Sequence, residues 1–89
     1  MPIKNNFILK EVGKDYMIIP VSSGNMEVTK VFNINETGAF IYKMLKDNKD
    51  VNEIAISLTK EYEGLDLNEA LSDIDEFVLK LKEKGIYYD

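Results

Sequence analysis

The amino-acid sequence predicts an α+β domain in which a three-stranded antiparallel sheet is followed by three helices. Two observations carry this prediction. Short β-prone runs separated by turn-forming residues fill the first third of the chain. Apolar residues with helical spacing, introduced by helix-capping residues, fill the remainder. Strands and helices segregated in this way are typical of α+β domains.

The predicted strands are joined by short connections. They are Phe7 to Val12, Tyr16 to Val21 and Val28 to Ile34. Gly13-Lys14-Asp15 has the composition of a tight turn, and Ser22 to Asn25 forms a second polar turn. Pro20 donates no hydrogen bond, which suits the end of a strand or an edge. Because consecutive strands with short connections usually pair, the expected topology is an antiparallel meander.

Each predicted helix has a recognisable start. Asn33 or Asn35 caps the first, which runs to about Asp47, while Asp50 and Asp66 cap the second and third with Glu three residues later. Gly85 ends the third helix. The expected core residues are Phe40, Ile41, Met44 and Leu45, then Val51, Ile54, Ala55, Leu58 and Tyr62, then Leu71, Ile74, Val78 and Leu81.

Two further positions concern packing. Gly38 inside the first helix lowers helix propensity but permits close backbone packing. Ile86-Tyr87-Tyr88 is a short apolar tail that we expect to pack back on the domain.

The composition excludes several classes of function. The 89 residues make one domain, residues 1–89, and carry eleven Lys against sixteen Asp and Glu, with no Arg and no His, for a net charge of -5. Nucleic-acid binders and proteins of anionic membrane surfaces need basic residues, so neither partner is expected. We expect a cytoplasmic location, since no signal peptide or membrane span is visible and the chain has no Cys.

The sequence also lacks the residues that enzymes use. Without Cys or His, the commonest nucleophile–base pairs and soft metal sites are missing, and no glycine-rich phosphate loop is present. The serines have no evident base partner. Asp73, Asp75 and Glu76 form a carboxylate group, but their spacing is that of a solvated helix face. We therefore predict no enzymatic activity, no cofactor and no metal.

Two features suggest a binding role. The third strand is an end strand of the meander, and its free edge can accept another chain as a further strand. Lys30 in its middle either blocks aggregation or favours particular partners. The third helix carries a flank that would form one wall of an apolar groove if it faces this strand. That flank is Leu71, Asp75, Val78, Leu79 and Lys82.

Lys80, Lys82 and Lys84 cluster in the last turns of the third helix. They have two interpretations: they stabilise the negative end of the helix dipole, or they attract acidic groups of a partner.

The chain resembles the PqqD family, also described as precursor-peptide recognition elements of RiPPs, the ribosomally made and post-translationally modified peptides. The most specific match is Asn35-Glu36-Thr37-Gly38 with the following Ala39-Phe40-Ile41-Tyr42. The other matching stretches begin at Phe7, Val51, Leu58 and Phe77 and are generic amphipathic patterns. Together they cover nearly the whole chain in the expected order.

The resemblance implies a winged helix-turn-helix-like fold that binds a leader peptide as an extra strand on the third strand, in the cleft with the third helix. Carried onto this sequence, the peptide-binding residues are Val28, Thr29, Lys30, Val31, Phe32 and Asn33 of the strand, with Leu71, Asp75, Val78, Leu79 and Lys82 of the helix. It also implies a partner that supplies the chemistry. That partner is a maturase such as a radical S-adenosylmethionine enzyme, or a leader peptidase of the lasso-peptide type.

Two alternatives use the same fold. A winged-helix nucleic-acid binder would read DNA with the third helix, whose outward positions are mostly acidic and would be repelled by phosphates. A protein-assembly module would pair edge to edge with a second copy. Strongly salt-dependent DNA binding would support the first alternative, and a dimer mass that persists on dilution would support the second.

Overall fold

The structure is a computed structural model that describes residues 6–22, 25–26 and 31–87. It confirms the predicted α+β fold, in which antiparallel strands precede three helices. The strands are β1 (Phe7–Val12), β2 (Asp15–Ser22), β3 (Asn25–Met26) and β4 (Phe32–Ile34); the helices are α1 (Glu36–Lys46), α2 (Val51–Glu61) and α3 (Leu67–Glu83). None of the described helices has the length and apolar character needed to cross a membrane.

β2 is the centre of the sheet. β1 pairs antiparallel along one edge of β2, and β3 and β4 pair antiparallel along the other. The turn from β1 to β2 is Gly13-Lys14, where Gly13 has a φ of 63°. Glycine is the residue preferred at the first central position of a type II′ hairpin turn. The first strand and this tight connection therefore match the sequence prediction.

The predicted third strand, Val28 to Ile34, is described only from Val31 onward. Its described part forms strand only over Phe32–Ile34, and Val28, Thr29 and Lys30 lie outside the described residues. A separate short strand, Asn25–Met26, pairs with the end of β2 where the sequence suggested a turn. Relative to β2, the pairings of β3 and β4 differ in register by three residues.

Pro20 lies between the part of β2 that pairs with β4 and the part that pairs with β3. The Val21 N–H donates to the Asn6 carbonyl at 2.7 Å, on the β1 side. Successive N–H groups of a strand point to opposite edges. The Pro20 nitrogen therefore faces the side of β3 and β4, where it offers no hydrogen-bond donor. Pro20 thus lies inside β2, with the pairing partners β4 before it and β3 after it. The predicted position of Pro20, at a strand end or an edge, is wrong, because β2 is the central strand and continues to Ser22.

The three helix starts are fixed by side-chain caps. Asn35, rather than Asn33, caps α1, and its side chain accepts from the Gly38 N–H at 2.7 Å. Asp50 accepts from the Glu53 N–H at 2.8 Å while Glu53 accepts from the Asp50 N–H at 3.3 Å, which completes the predicted capping box. Asp66 caps α3 by accepting from the Glu69 N–H at 2.8 Å.

The end of α3 is a Schellman motif. Gly85 has a φ of 73°, its N–H donates to the Lys82 carbonyl at 3.1 Å, and the Ile86 N–H donates to the Leu81 carbonyl at 2.8 Å. Ile86 is buried in the core, as expected for the apolar tail, and Tyr87 packs against that core.

The core lies between the sheet and the helices. Phe7, Leu9, Phe32 and Ile34 pack from the sheet against a buried cluster that includes Ile18 and residues of all three helices. The sequence prediction was correct for α2, except that Val51 is exposed. For α3 the expected stripe was rotated: Leu71 and Val78 are half-buried, whereas Ala70 and Phe77 are buried with Ile74 and Leu81.

Candidate functional site

A groove of about 580 Å³ lies between β4, the start of α1 and one side of α3. The turn between β1 and β2 closes one of its ends. The lining residues are Lys14 and Asp15 from the turn region, Phe32, Asn33 and Ile34 from β4, Asn35, Glu36, Thr37, Gly38 and Ile41 from the start of α1, and Asp73, Glu76, Phe77 and Lys80 from α3.

The start of α1 is built by the four residues Asn35-Glu36-Thr37-Gly38. Asn35 caps the helix, and Gly38 lies so close to Phe77 that an added Cβ would be 2.9 Å from Phe77 Cε1. The Tyr62 hydroxyl donates to Glu36 Oε2 at 3.2 Å. Burial and the charge of Glu36 raise the pKa of Tyr62, so this hydroxyl stays protonated and continues to donate at neutral pH. These contacts join α1 to α2 and α3 beside the groove.

The outer edge of β4 is available for pairing. Ile18 and Tyr16 of β2 point their backbone groups toward Phe32 and Ile34, so the N–H and C=O of Asn33 point away from β2. Asn33 is exposed, and no described strand pairs with β4 on that outer side. Asn33 also lines the groove. An extended chain in the groove would therefore find a free donor and a free acceptor at this residue.

The charges of the groove are unpaired within the described part of the chain. Asp73, Glu76 and Lys80 form no ion pair with another described residue. The Lys84 ammonium lies 5.3 Å from the centre of the Phe32 ring, which places the end of α3 beside the beginning of β4. The groove thus combines apolar surface from Phe32, Ile34 and Phe77 with free charges on α3.

The structure separates the sequence-predicted site residues into three groups. Phe32 and Asn33 line the groove, Val31 precedes them in the chain and is half-buried, and the three earlier strand positions are outside the described residues. The five predicted helix positions do not line the groove: they are Leu71, Asp75, Val78, Leu79 and Lys82.

The predicted helix flank lies on the other side of α3 from the residues that line the groove. At about 100° per residue, Asp73, Glu76 and Lys80 lie on one side of the buried stripe, and the predicted flank lies on the other. Leu79 is 57% exposed on that second flank, and Lys82 Nζ lies 5.5 Å from the Tyr87 ring centre. The contribution of this flank to peptide binding stays a prediction.

The choice of the predicted flank follows from the rotated stripe. The sequence pattern predicted Leu71 and Val78 on the buried face of α3, and this assignment put Leu79 on the side next to the groove. Phe77, three residues after Ile74 and four before Leu81, gives the correct centre and was the signal available in the sequence. Gly38 was a second signal, because a glycine inside a helix indicates that another part of the chain packs closely against it. Here that part is Phe77 of α3.

The described residues form no candidate metal site, and three tyrosines among them have raised pKa values. No three carboxylate-bearing side chains among them come together in a way that could hold a metal ion. The titratable groups with raised pKa values are Tyr16, Tyr42 and Tyr62, and burial is the leading cause in each.

Comparisons with known proteins give one matching family model and two similar solved structures. The family model for coenzyme PQQ synthesis protein D (PqqD) matches residues 21–86. The solved structure of lasso peptide synthetase B1 complexed with the leader peptide has a TM-score of 0.77 and 25% identity, covering 98% of this chain and 95% of that chain. TbiB1 in complex with the TbiA(beta) leader peptide shows the same fold, with a TM-score of 0.76 and 20% identity over 98% of this chain and 94% of that chain. No curated protein sequence matches significantly.

Proposed function

The chain belongs to the PqqD family, and from this premise we propose that it binds the leader region of a ribosomally synthesised precursor peptide. The leader adds as a strand to the outer edge of β4 and lies in the groove with α3. The chain then presents the peptide to a maturase, such as a radical S-adenosylmethionine enzyme, or to a leader peptidase. It supplies binding and orientation, and its partner supplies the chemistry.

The observation that carries the proposal is the free backbone edge at Asn33 beside a groove. Strand addition takes affinity from main-chain hydrogen bonds and specificity from side-chain pockets along the same path. The two similar solved structures were both determined with leader peptides. A leader that is disordered when free pays an ordering cost, so we expect affinities from about micromolar to nanomolar, roughly -8 to -12 kcal/mol.

The first test is a titration of the labelled leader of the precursor encoded beside this chain, followed by fluorescence anisotropy. We expect saturable binding that a scrambled leader does not show. Absence of binding to that leader by folded protein would contradict the proposal.

The second test addresses the edge. Asn33→Pro removes an outward N–H and places the proline ring where the added strand must lie, so we expect at least about a tenfold loss of affinity. Glu11→Pro is the matched control, because alternation along β1 points the Glu11 N–H away from β2 on the opposite edge of the sheet. Equal affinities of the two variants would contradict strand addition to β4.

The alternatives have weaker support. The outward positions of α3 include the exposed Asp75, Glu76 and Glu83, which repel phosphates. Edge-to-edge assembly would use the same free edge of β4, and it predicts a dimer mass that persists on dilution and is lost in Asn33→Pro. The cytoplasmic location expected from the sequence stays a prediction.

A further inference from the structure

The direction of α3 relative to β4 is fixed by two contacts. Phe77 meets Gly38 at the start of α1, and Lys84, seven residues later in the chain, lies over the ring of Phe32. β4 starts at Phe32 and runs toward the start of α1. In contrast, α3 is beside the start of α1 at Phe77 and runs from there toward Phe32, which it reaches at Lys84. Helix and strand therefore border the groove in opposite directions.

The groove has charges of opposite sign at its two ends. Asp73 and Glu76 lie at the α1 end together with Glu36, whose carboxylate accepts a hydrogen bond from the Tyr62 hydroxyl. Lys80 and Lys84 lie toward the Phe32 end. Lys14 and Asp15 also border the α1 end, but their opposite charges offset each other. Among the described residues, the α1 end of the groove is therefore acidic and the Phe32 end is basic.

We propose that the groove selects an extended peptide segment in which a basic residue precedes an acidic residue. This inference rests on the proposed function. A strand that pairs antiparallel with β4 runs in the same direction as α3. Its earlier residues then meet Asp73 and Glu76, and its later residues meet Lys80 and Lys84. Antiparallel pairing is the ladder already used throughout the sheet and is slightly the more stable kind per residue.

The spacing of the two charges follows from helix and strand geometry. Glu76 and Lys80 are about 6 Å apart along the helix axis, and Asp73 and Lys84 are about 16 Å apart, at about 1.5 Å per residue. An extended peptide advances about 3.3 Å per residue. The basic residue should therefore precede the acidic one by roughly two to five positions. Complementary charges of this kind set register and reject the reversed order.

The experiment is a selection from a displayed library of random 12-residue peptides, made with the full chain. We expect the wild type to enrich the basic-before-acidic order at least about tenfold over the reversed order. Glu76→Lys combined with Lys80→Glu keeps the net charge and should remove most of that preference. Lys60→Glu combined with Glu61→Lys, on α2, is a charge-conserving control that should keep it.

The outcomes separate the two proposals. If the wild type enriches both orders equally, or the reversed order, the charge-order inference is wrong and peptide binding stands. If the wild type enriches no peptide although it is folded, peptide binding and the charge order are both contradicted. If the control swap on α2 removes the preference as strongly as the swap on α3, the charges of the groove do not set it.

Discussion

Gly38 and Phe77 approach so closely that a Cβ at residue 38 would lie 2.9 Å from Phe77 Cε1 and 3.2 Å from the capping oxygen of Asn35. Phe77 is buried, so its ring has little room to move. This contact holds the first turn of α1 against the middle of α3, on the wall of the groove. It gives a physical reason for glycine at the one helical position where it lowers helix propensity.

Gly38→Ala should destabilise the domain by up to about 2 kcal/mol. Alanine favours a helix over glycine by about 1 kcal/mol, but overpacking against a buried ring costs typically about 1–3 kcal/mol, and the second effect should win. Urea unfolding measures the difference. In a double-mutant cycle with Phe77→Leu, the smaller leucine side chain should relieve part of the cost of the added methyl group. A Gly38→Ala variant more stable than the wild type would show that Phe77 moves freely.

Tyr42→Phe should stabilise the domain or leave it unchanged. The Tyr42 hydroxyl is buried and has no hydrogen-bond partner among the described residues. An unsatisfied buried polar group costs about 1–3 kcal/mol, and phenylalanine removes it while keeping the ring. A clear loss of stability in Tyr42→Phe, measured by urea unfolding at neutral pH, would mean that the hydroxyl has a partner.

The same residue should affect stability at high pH. Burial raises the pKa of Tyr42 from 10.0 to about 12. Between these values the folded state holds a proton that the unfolded state releases, so this group lowers stability as pH rises from about 10 to about 12. Tyr16 and Tyr62 also have raised pKa values, so the comparison is with Tyr42→Phe, which keeps both. The wild type should lose more stability than the variant between about pH 9 and about pH 11, on either side of the ordinary tyrosine pKa.

The two cap residues Asn35 and Asp50 should separate stability from binding. Each accepts a hydrogen bond from the third residue of its helix, so replacement of either by Ala should cost about 1 kcal/mol of stability. Only Asn35 lines the groove. Asn35→Ala should therefore also weaken leader binding, whereas Asp50→Ala should not. Equal leader affinities for the two variants, measured by anisotropy, would remove the start of α1 from the binding site.

Two neighbouring residues test which flank of α3 contacts the leader. Lys80→Asp reverses a charge inside the groove and should weaken binding about fivefold, which corresponds to about 1 kcal/mol. Leu79→Asp introduces the same side chain on the opposite flank and should change affinity less than about twofold. The reverse result in a leader titration would restore the flank that the sequence indicated, with Leu71, Asp75, Val78 and Lys82.

The sequence was a good guide wherever a local signal determined the structure. The hairpin at Gly13, the caps at Asp50 and Asp66 and the stop at Gly85 each depend on hydrogen bonds or a backbone angle within a few residues. Such features restrict which residue types can occupy these positions. The α+β order and the family resemblance followed from the same signals and from the Asn35-to-Gly38 motif.

The sequence was a poorer guide where distant elements decide. Whether Phe77 or Val78 faces the core depends on how α3 rotates against α1 and α2, and both residues are apolar. The predicted binding flank depended on that rotation, and its residues do not line the groove. Pro20 was expected at a strand end or an edge but lies inside β2, because which strands pair on each side of β2 is decided by distant parts of the chain.

The alternating directions of the backbone amides in β4 also allow amide exchange to show whether a partner strand is bound at its outer edge. In the free protein the Phe32 and Ile34 amides face β2, while the Asn33 amide faces outward. In hydrogen–deuterium exchange the Asn33 amide should therefore exchange quickly beside two slow neighbours, and a partner strand would slow it. A single amide can thus record when the edge is filled, without a label on either molecule and without knowledge of which enzyme receives the peptide.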